Sequence, residues 1–228
     1  MNKKGNLTYG KIAIYMVVFF LVWSVRELVI RPVFLNQLDG IMFQVVESAI
    51  KIVIWTVPAV LLIKHFKADM LISLKEMFTN QPPWLMAFGY IALAGAIPLV
   101  NGLLMGDGLQ IRADFDPVRL IGAVLIVGIT EELIFRGFLL NGLLKKMKME
   151  FAIAIDAVLF TLIHYPVWIY RGFDLTTILT SSISVAILSV LFAHSFIKTK
   201  SIWVPIIMHM IYNLLLAMFG TCQLCTLY

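Results

Sequence analysis

From Thr130 to Phe138 the chain reads Thr130-Glu131-Glu132-Leu133-Ile134-Phe135-Arg136-Gly137-Phe138, inside an otherwise apolar run. On a helix, Glu132 and Arg136 are four residues apart and can pair on one face. Adjacent residues point about 100° apart, so Glu131 lies on another face with no cation within reach along its own helix. A carboxylate held there is placed as a general base is, in an apolar setting where it can take a proton from water. Packing calls for no such second carboxylate. Further along, Asp156, Phe160 and His164 recur at intervals of four, and His209 and Asn213 share the same spacing. Each histidine alone could equally be a hydrogen-bonded core residue. At about 1.5 Å per residue, however, Glu131, His164 and Asn213 all lie about 17–20 Å from the same ends of their helices. Three helices thus bring a carboxylate, an imidazole and an imidazole–amide pair to one depth.

The elements that carry these residues are set by composition. Of 228 residues, 61% are hydrophobic and only 14% charged, against about 45–50% apolar and about 25% charged in soluble domains. One soluble core of this size could not hide that much apolar surface, which excludes a soluble enzyme, a disordered chain and a disulfide scaffold. The apolar residues come in long runs, which disfavours a membrane barrel. Seven segments, at about 10–30, 41–63, 84–106, 118–144, 151–170, 175–197 and 202–219, approach or exceed the ~20 residues a bilayer requires. The expected fold is an all-α polytopic transmembrane bundle of about seven helices, one domain over 1–228. The first span reads as a retained helix and not as a cleaved signal.

The net charge of +5 is read as topology and not as nucleic-acid binding. Lys3, Lys4, Lys11, Lys64, Lys67, Lys75, Lys145, Lys146, Lys148, Lys198 and Lys200 fall on one side; Arg31, Arg112, Arg119 and Arg171 fall on the other. The positive-inside rule then sets the N-terminus inside and favours a cavity opening to the cytoplasm. Met70, Leu71, Leu74, Met77 and Phe78 predict a short interfacial helix. Arg26–Glu27 is expected to snorkel to the outer interface, Glu47 and Lys51 to pair within their own helix, and His194 to be interfacial. Cys222 and Cys225 form a lone C-x-x-C with no second pair and no nearby histidine, so zinc is not expected. The terminal Cys225-Thr226-Leu227-Tyr228 is a poor prenylation signal.

Glu131-Glu132-x-x-x-Arg136, Phe160-x-x-x-His164 and His209-x-x-x-Asn213, with the lead-in Ser201-Ile202-Trp203-Val204-Pro205, resemble the motifs of the CAAX protease and bacteriocin-processing (Abi) family. These are intramembrane endopeptidases similar to the Ras-converting enzyme. The resemblance covers about 118–217, and helices over 1–117 add hydropathy but no motif. It implies that Glu131 with His164 activates a water, that His209 and Asn213 stabilise the oxyanion, and that Glu132 pairs with Arg136. It implies no cofactor and no metal. The sequence itself has no H-E-x-x-H and no thiolate at depth. Asp156 departs from the family pattern; it could bond into the site or pair with a buried cation. The expected partners are the lipid bilayer and a peptide or membrane-protein substrate, a bacteriocin precursor among them, at a bacterial plasma membrane. Two other readings stand beside this one. One is a bacteriocin-immunity protein that binds without cleaving. The other is a small proton-coupled transporter, which the absence of an inverted repeat disfavours.

Overall fold

The computed structural model describes residues 6–105, 109–113, 115–118 and 120–219, which form helices and no strand. Lys3, Lys4, Arg119, Cys222 and Cys225 lie outside the described residues. Among the described residues eight helical rods succeed one another: α1 (Tyr9–Gln37), α2 (Gly40–His65), α3 (Leu74–Thr79), α4 (Trp84–Met105), α5 (residues 121–143), α6 (Met149–Tyr170), α7 (Leu175–Thr199) and α8 (Trp203–Phe219). Five of them, α1, α2, α4, α6 and α7, are long and apolar enough to cross a membrane. The other two expected spans are α5, which carries three charges, and α8, which is shorter. The chain is a multi-pass membrane protein.

The centre of the bundle is α5. Every residue from Thr130 to Leu143 is buried, as expected of a helix that is apolar on all sides and surrounded by others. It packs against α2, α6, α7 and α8. Two features set how closely α5 is approached by its neighbours. A Cβ on Gly128 would lie 2.8 Å from Met210 Cγ and 3.4 Å from the Ile206 carbonyl oxygen, so only glycine lets the backbones of α5 and α8 come this near. Further along, Phe135 packs edge-on to Phe160 of α6. On the other flank α1 meets α2 and α5 through aromatic contacts, Phe19 and Trp23 against Trp55 and Tyr15 against Phe138.

Four helices depart from regular winding: α5 is wound as a π-helix over Ile121–Ile126 and again over Leu133–Leu140, and the other three depart beside a proline. In α1 a wide π turn, Arg26–Ile30, precedes Pro32, and in α2 another, Ile52–Thr56, precedes Pro58. Proline lacks an N–H and crowds the carbonyl four residues back, and a locally wider turn relieves that crowding. In α6 the regular helix stops at Leu162 and resumes at Tyr165, just before Pro166. There the His164 N–H turns back to Thr161 (3.1 Å) instead of reaching Phe160.

The short helix α3 differs from its expected position. It begins with a Ser73–Glu76 capping box, but Met70 and Met77 are buried in the main core, while Leu71 is exposed. Asn141 of α5 clamps this segment from both sides, accepting from the Ile72 N–H (2.8 Å) and donating to its carbonyl (2.7 Å). A buried amide matched twice by one backbone unit ties the segment to the bundle, which an interfacial helix would not be.

Candidate active site

Glu132 and Arg136 pair along α5 at 3.1 Å, as their spacing predicts. The arginine is fully buried and serves further partners: its guanidinium donates to the Ser189 carbonyl (2.9 Å) and hydroxyl (2.7 Å) of α7. Its Nε lies 3.5 Å from Asp156 Oδ2, and its plane covers the Phe160 ring at 4.5 Å. Asp156 is therefore the partner of a buried cation. Ser189 carries no signal in the sequence, since a serine in a membrane helix ordinarily bonds its own turn.

Across from Arg136, the same Glu132 oxygen takes the Nδ1 of His209 at 2.8 Å. With Nδ1–H directed at a carboxylate, the ring presents Nε2 toward Glu131, whose Oε2 is 4.0 Å away and has no hydrogen-bond partner among the described residues. That gap is too long for a direct hydrogen bond and has the span of a contact through one intervening atom. Asn213, one turn on, donates to the Ala123 carbonyl at 3.0 Å, which leaves its second N–H for another acceptor.

The break in α6 sets the tautomer of His164. Because the backbone N–H of His164 bonds Thr161, the Phe160 carbonyl is left to accept from His164 Nδ1, at 2.8 Å. A carbonyl only accepts, so Nδ1 carries the hydrogen and Nε2 has the lone pair of the neutral ring. The ring is 7% exposed and faces a cavity that Glu131 also lines. This cavity of about 50 Å3 has room for a few water molecules, each needing about 10–15 Å3. A carboxylate without a partner and an imidazole with an open Nε2 thus border one small space of water size. Such a pair can take a proton from water and pass it on.

The expected meeting of three helices is found with a difference. Glu131 and His164 line the cavity itself, whereas His209 and Asn213 stand behind it, reached through Glu131 and through Ala123, which does line it. The opposite wall comes from the N-terminal helices. Arg26 is fully buried and bonds both Glu27 and Glu47; Arg31 pairs with Glu27 at 3.0 Å, and Lys51 lies 3.8 Å from Glu47. The snorkelling expected of Arg26–Glu27 does not occur. Both residues continue the buried face of α1, three and four residues past Trp23, and α2 supplies Glu47 as a second counter-charge. Glu27, Arg31, Glu47 and Lys51 all border the same cavity as Glu131. The one signal of this in the sequence is that these are charges inside membrane helices, where burial calls for partners.

The cavity shares Arg31, Phe43 and Gln44 with a second, larger recess of about 360 Å3, lined also by Asn36, Asp116 and Arg171. This recess lies at the far end of α6 from Lys148 and at the far end of α1 from Tyr9, whose hydroxyl donates to the Lys146 carbonyl. The polar recess beside the site is thus at the end opposite the Lys145–Lys148 loop, not at the lysine-rich end expected to hold the opening. Among the described residues no three His, Cys, Asp or Glu side chains converge as a metal site.

Residues 114–215 match the family described as type II CAAX prenyl endopeptidase Rce1-like, a stretch that spans α5 to α8 and contains all the motif residues above. No curated protein and no solved structure matches the chain.

Proposed function

Starting from a family match to the type II CAAX prenyl endopeptidases over residues 114–215, we propose that this protein is an intramembrane endopeptidase of the glutamate type. The observation that carries the reading is the shared cavity: Glu131 without a hydrogen-bond partner and His164 with an open Nε2 border one space sized for water. In this mechanism Glu131 takes a proton from a water, assisted by His164, and the hydroxide attacks the scissile carbonyl. The second N–H of Asn213 donates to the oxyanion, the contribution usually largest in acyl transfer. His209 joins it from Nε2 once that nitrogen is protonated, with Glu132 at Nδ1 as the counter-charge of the imidazolium. Collapse returns the proton to the leaving amine. Glu132, fixed by Arg136, orients His209. No covalent intermediate forms, and the protein groups suffice without a metal. The substrate is a peptide or membrane-protein segment. Maturation of, or self-protection against, a peptide bacteriocin at a bacterial plasma membrane is the finer reading that we attach to the compact, motif-bearing chain.

The test compares small peptides and membrane-protein termini in the native host carrying either the natural protein or Glu131→Gln at equal membrane levels. A terminus present only with Glu131 is expected. With purified protein its formation should fall about 10²–10⁴-fold in the variant and persist in chelator. Identical profiles, with the protein's phenotype intact, would refute proteolysis and leave a binding role. Loss of cleavage in chelator, restored by a divalent ion, would refute the glutamate mechanism alone.

A further inference from the structure

Between α1 and α6 the outer surface of the bundle is split by a groove of about 480 Å3 that the mechanism does not use. Its floor is buried: Ile12, Met16 and Phe19 of α1, Leu143 at the end of α5 and Ile163 of α6. Its rims, Val17 and Leu21 on one side and Ile155 and Leu162 on the other, are exposed. A cleft of this depth in a bilayer is filled by a chain that enters it, or its floor forfeits dispersion contacts. From Tyr9 to Leu21 the groove follows α1 for about 18 Å, at about 1.5 Å per residue. That is close to one leaflet's half of the ~30 Å hydrocarbon core. One end is polar. Tyr9 donates its hydroxyl to the Lys146 carbonyl at 2.8 Å, and Met147, between Lys146 and Lys148, lines the groove. Lys11, Lys145, Lys146 and Lys148 stand at this end against two carboxylates, Asp69 and Glu150. Lys146 pairs with Asp69 at 3.1 Å, whereas Lys11 and Lys145 bond backbone carbonyls and keep their full charge. Lys148 is exposed, and its side chain makes no hydrogen bond or ion pair among the described residues.

We propose that this groove is a binding site for an anionic phospholipid of the leaflet at the lysine-rich end. One acyl chain lies along α1 and α6 as far as Ile163, and the phosphate meets Lys148 beside Tyr9. Basic side chains at the mouth of an apolar cleft between membrane helices recognise phosphate headgroups in this way, and a tyrosine at headgroup level is at home there. The surplus of lysines selects an anionic lipid, because a zwitterionic headgroup brings its own cation to the same place. Ile163 lines both the groove and the cavity bordered by Glu131, so the bound chain packs against the outside of the cavity wall. Neither the site nor its ligand depends on the endopeptidase reading.

The test uses the full-length protein in lipid-free detergent, titrated with dioleoyl phosphatidylglycerol, dioleoyl phosphatidylcholine or glycerol 3-phosphate, with bound mass read by native mass spectrometry. One phosphatidylglycerol should bind at least ten-fold more tightly than phosphatidylcholine. Glycerol 3-phosphate should not bind at the concentrations that saturate the lipid, which separates a phospholipid from a free phosphate. Ala13→Trp, which fills the groove from α1, should lose at least ten-fold in affinity for phosphatidylglycerol at an unchanged melting temperature. Lys148→Gln should cut the preference for phosphatidylglycerol about five-fold, the scale of one lysine at an anionic headgroup. That variant lies on an exposed loop and keeps the test decisive if Ala13→Trp does not fold. Lys198→Gln, on α7, which does not line the groove, should leave the preference intact. Equal binding of the two lipids by the natural protein, or an unchanged preference in Lys148→Gln, overturns the proposal. So does tight phosphatidylglycerol binding that survives in a folded Ala13→Trp protein. A lipid-free dimer that Ala13→Trp disperses would make a second copy of the chain the occupant and overturn it as well. Loss of Glu131-dependent cleavage would leave the lipid site untouched, and loss of the lipid preference would leave the protease reading untouched.

Discussion

Replacing Arg136 with methionine would leave Glu132 and Asp156 without their shared cation and the Ser189 carbonyl without its donor, all at full burial. Removing one partner of a buried ion pair costs about 3–5 kcal/mol, so Arg136→Met should melt well below the natural protein in detergent. Arg136→Lys should recover little, because a point charge cannot serve partners on α5, α6 and α7 together. Asp156→Asn keeps the Glu132 and Ser189 contacts and should lose much less. An Arg136→Met protein with native melting temperature would show that the network contributes nothing to the fold. At this scale the sequence is informative where partners share a helix: Glu132 and Arg136 are four apart. The Glu132–His209 bond crosses 77 positions and depends on how α5 docks on α8 at Gly128, which no spacing rule contains. Asp156 stands out as unusual in the sequence, but its partner depends on the crossing of α5 and α6.

Helix α6 shows what a single proline does to an element and to the group it carries. With Pro166→Ala the helix can run on through 163–165, the His164 N–H can return to the Phe160 carbonyl, and the imidazole Nδ1 loses its acceptor. Cleavage should fall by about 10²-fold, the scale expected for an ångström of misplacement, while membrane insertion and helix content by circular dichroism stay unchanged. Activity that survives in Pro166→Ala would mean that the break does not orient His164. The hydrophobic runs make all eight rods legible except for the docking of α3, because run length alone decides a membrane helix. The irregular turns are not legible in this way. Faces counted at 3.6 residues per turn go wrong past a π turn, where one added residue rotates the remainder of the helix by about 100°. Arg26 and Glu27, read as interfacial from their depth near the end of α1, are instead buried because Glu47 of α2 meets Arg26 there, a partner that no spacing within α1 reveals.

The bundle as a whole is closed at its lysine-rich end by a clasp outside the spans. Asp69, after α2, accepts from the Leu7 N–H at 3.0 Å and pairs with Lys146 at 3.1 Å, joining the start of α1 to two loops. The Leu7 hydrogen bond first, and Lys146 after it, hold the Asp69 carboxyl below its ordinary value. A carboxyl depressed in the folded state contributes fully above its unfolded pKa of about 3.9 and loses that contribution as pH falls through the lower folded value. Relative to a free amide at the same pH, the Leu7 N–H should therefore be protected from exchange at neutral pH and lose that protection below about pH 4. Asp69→Asn should exchange faster at neutral pH and lose that acid response; a response equal to the natural protein's would assign it to another group. At the other end, the cavity of about 50 Å3 is far below the roughly 300–1,000 Å3 of pockets that enclose a ligand. A space of that size has room for water and none for a peptide. A peptide can meet Glu131 only if the helices that wall the cavity, α1 and α2 on one side and α6 on the other, move apart, so turnover should depend on the lateral freedom of those helices. Rates should climb with the fluidity of the surrounding lipid, and deuterated water should slow them little, because the step that limits them moves helices and not protons.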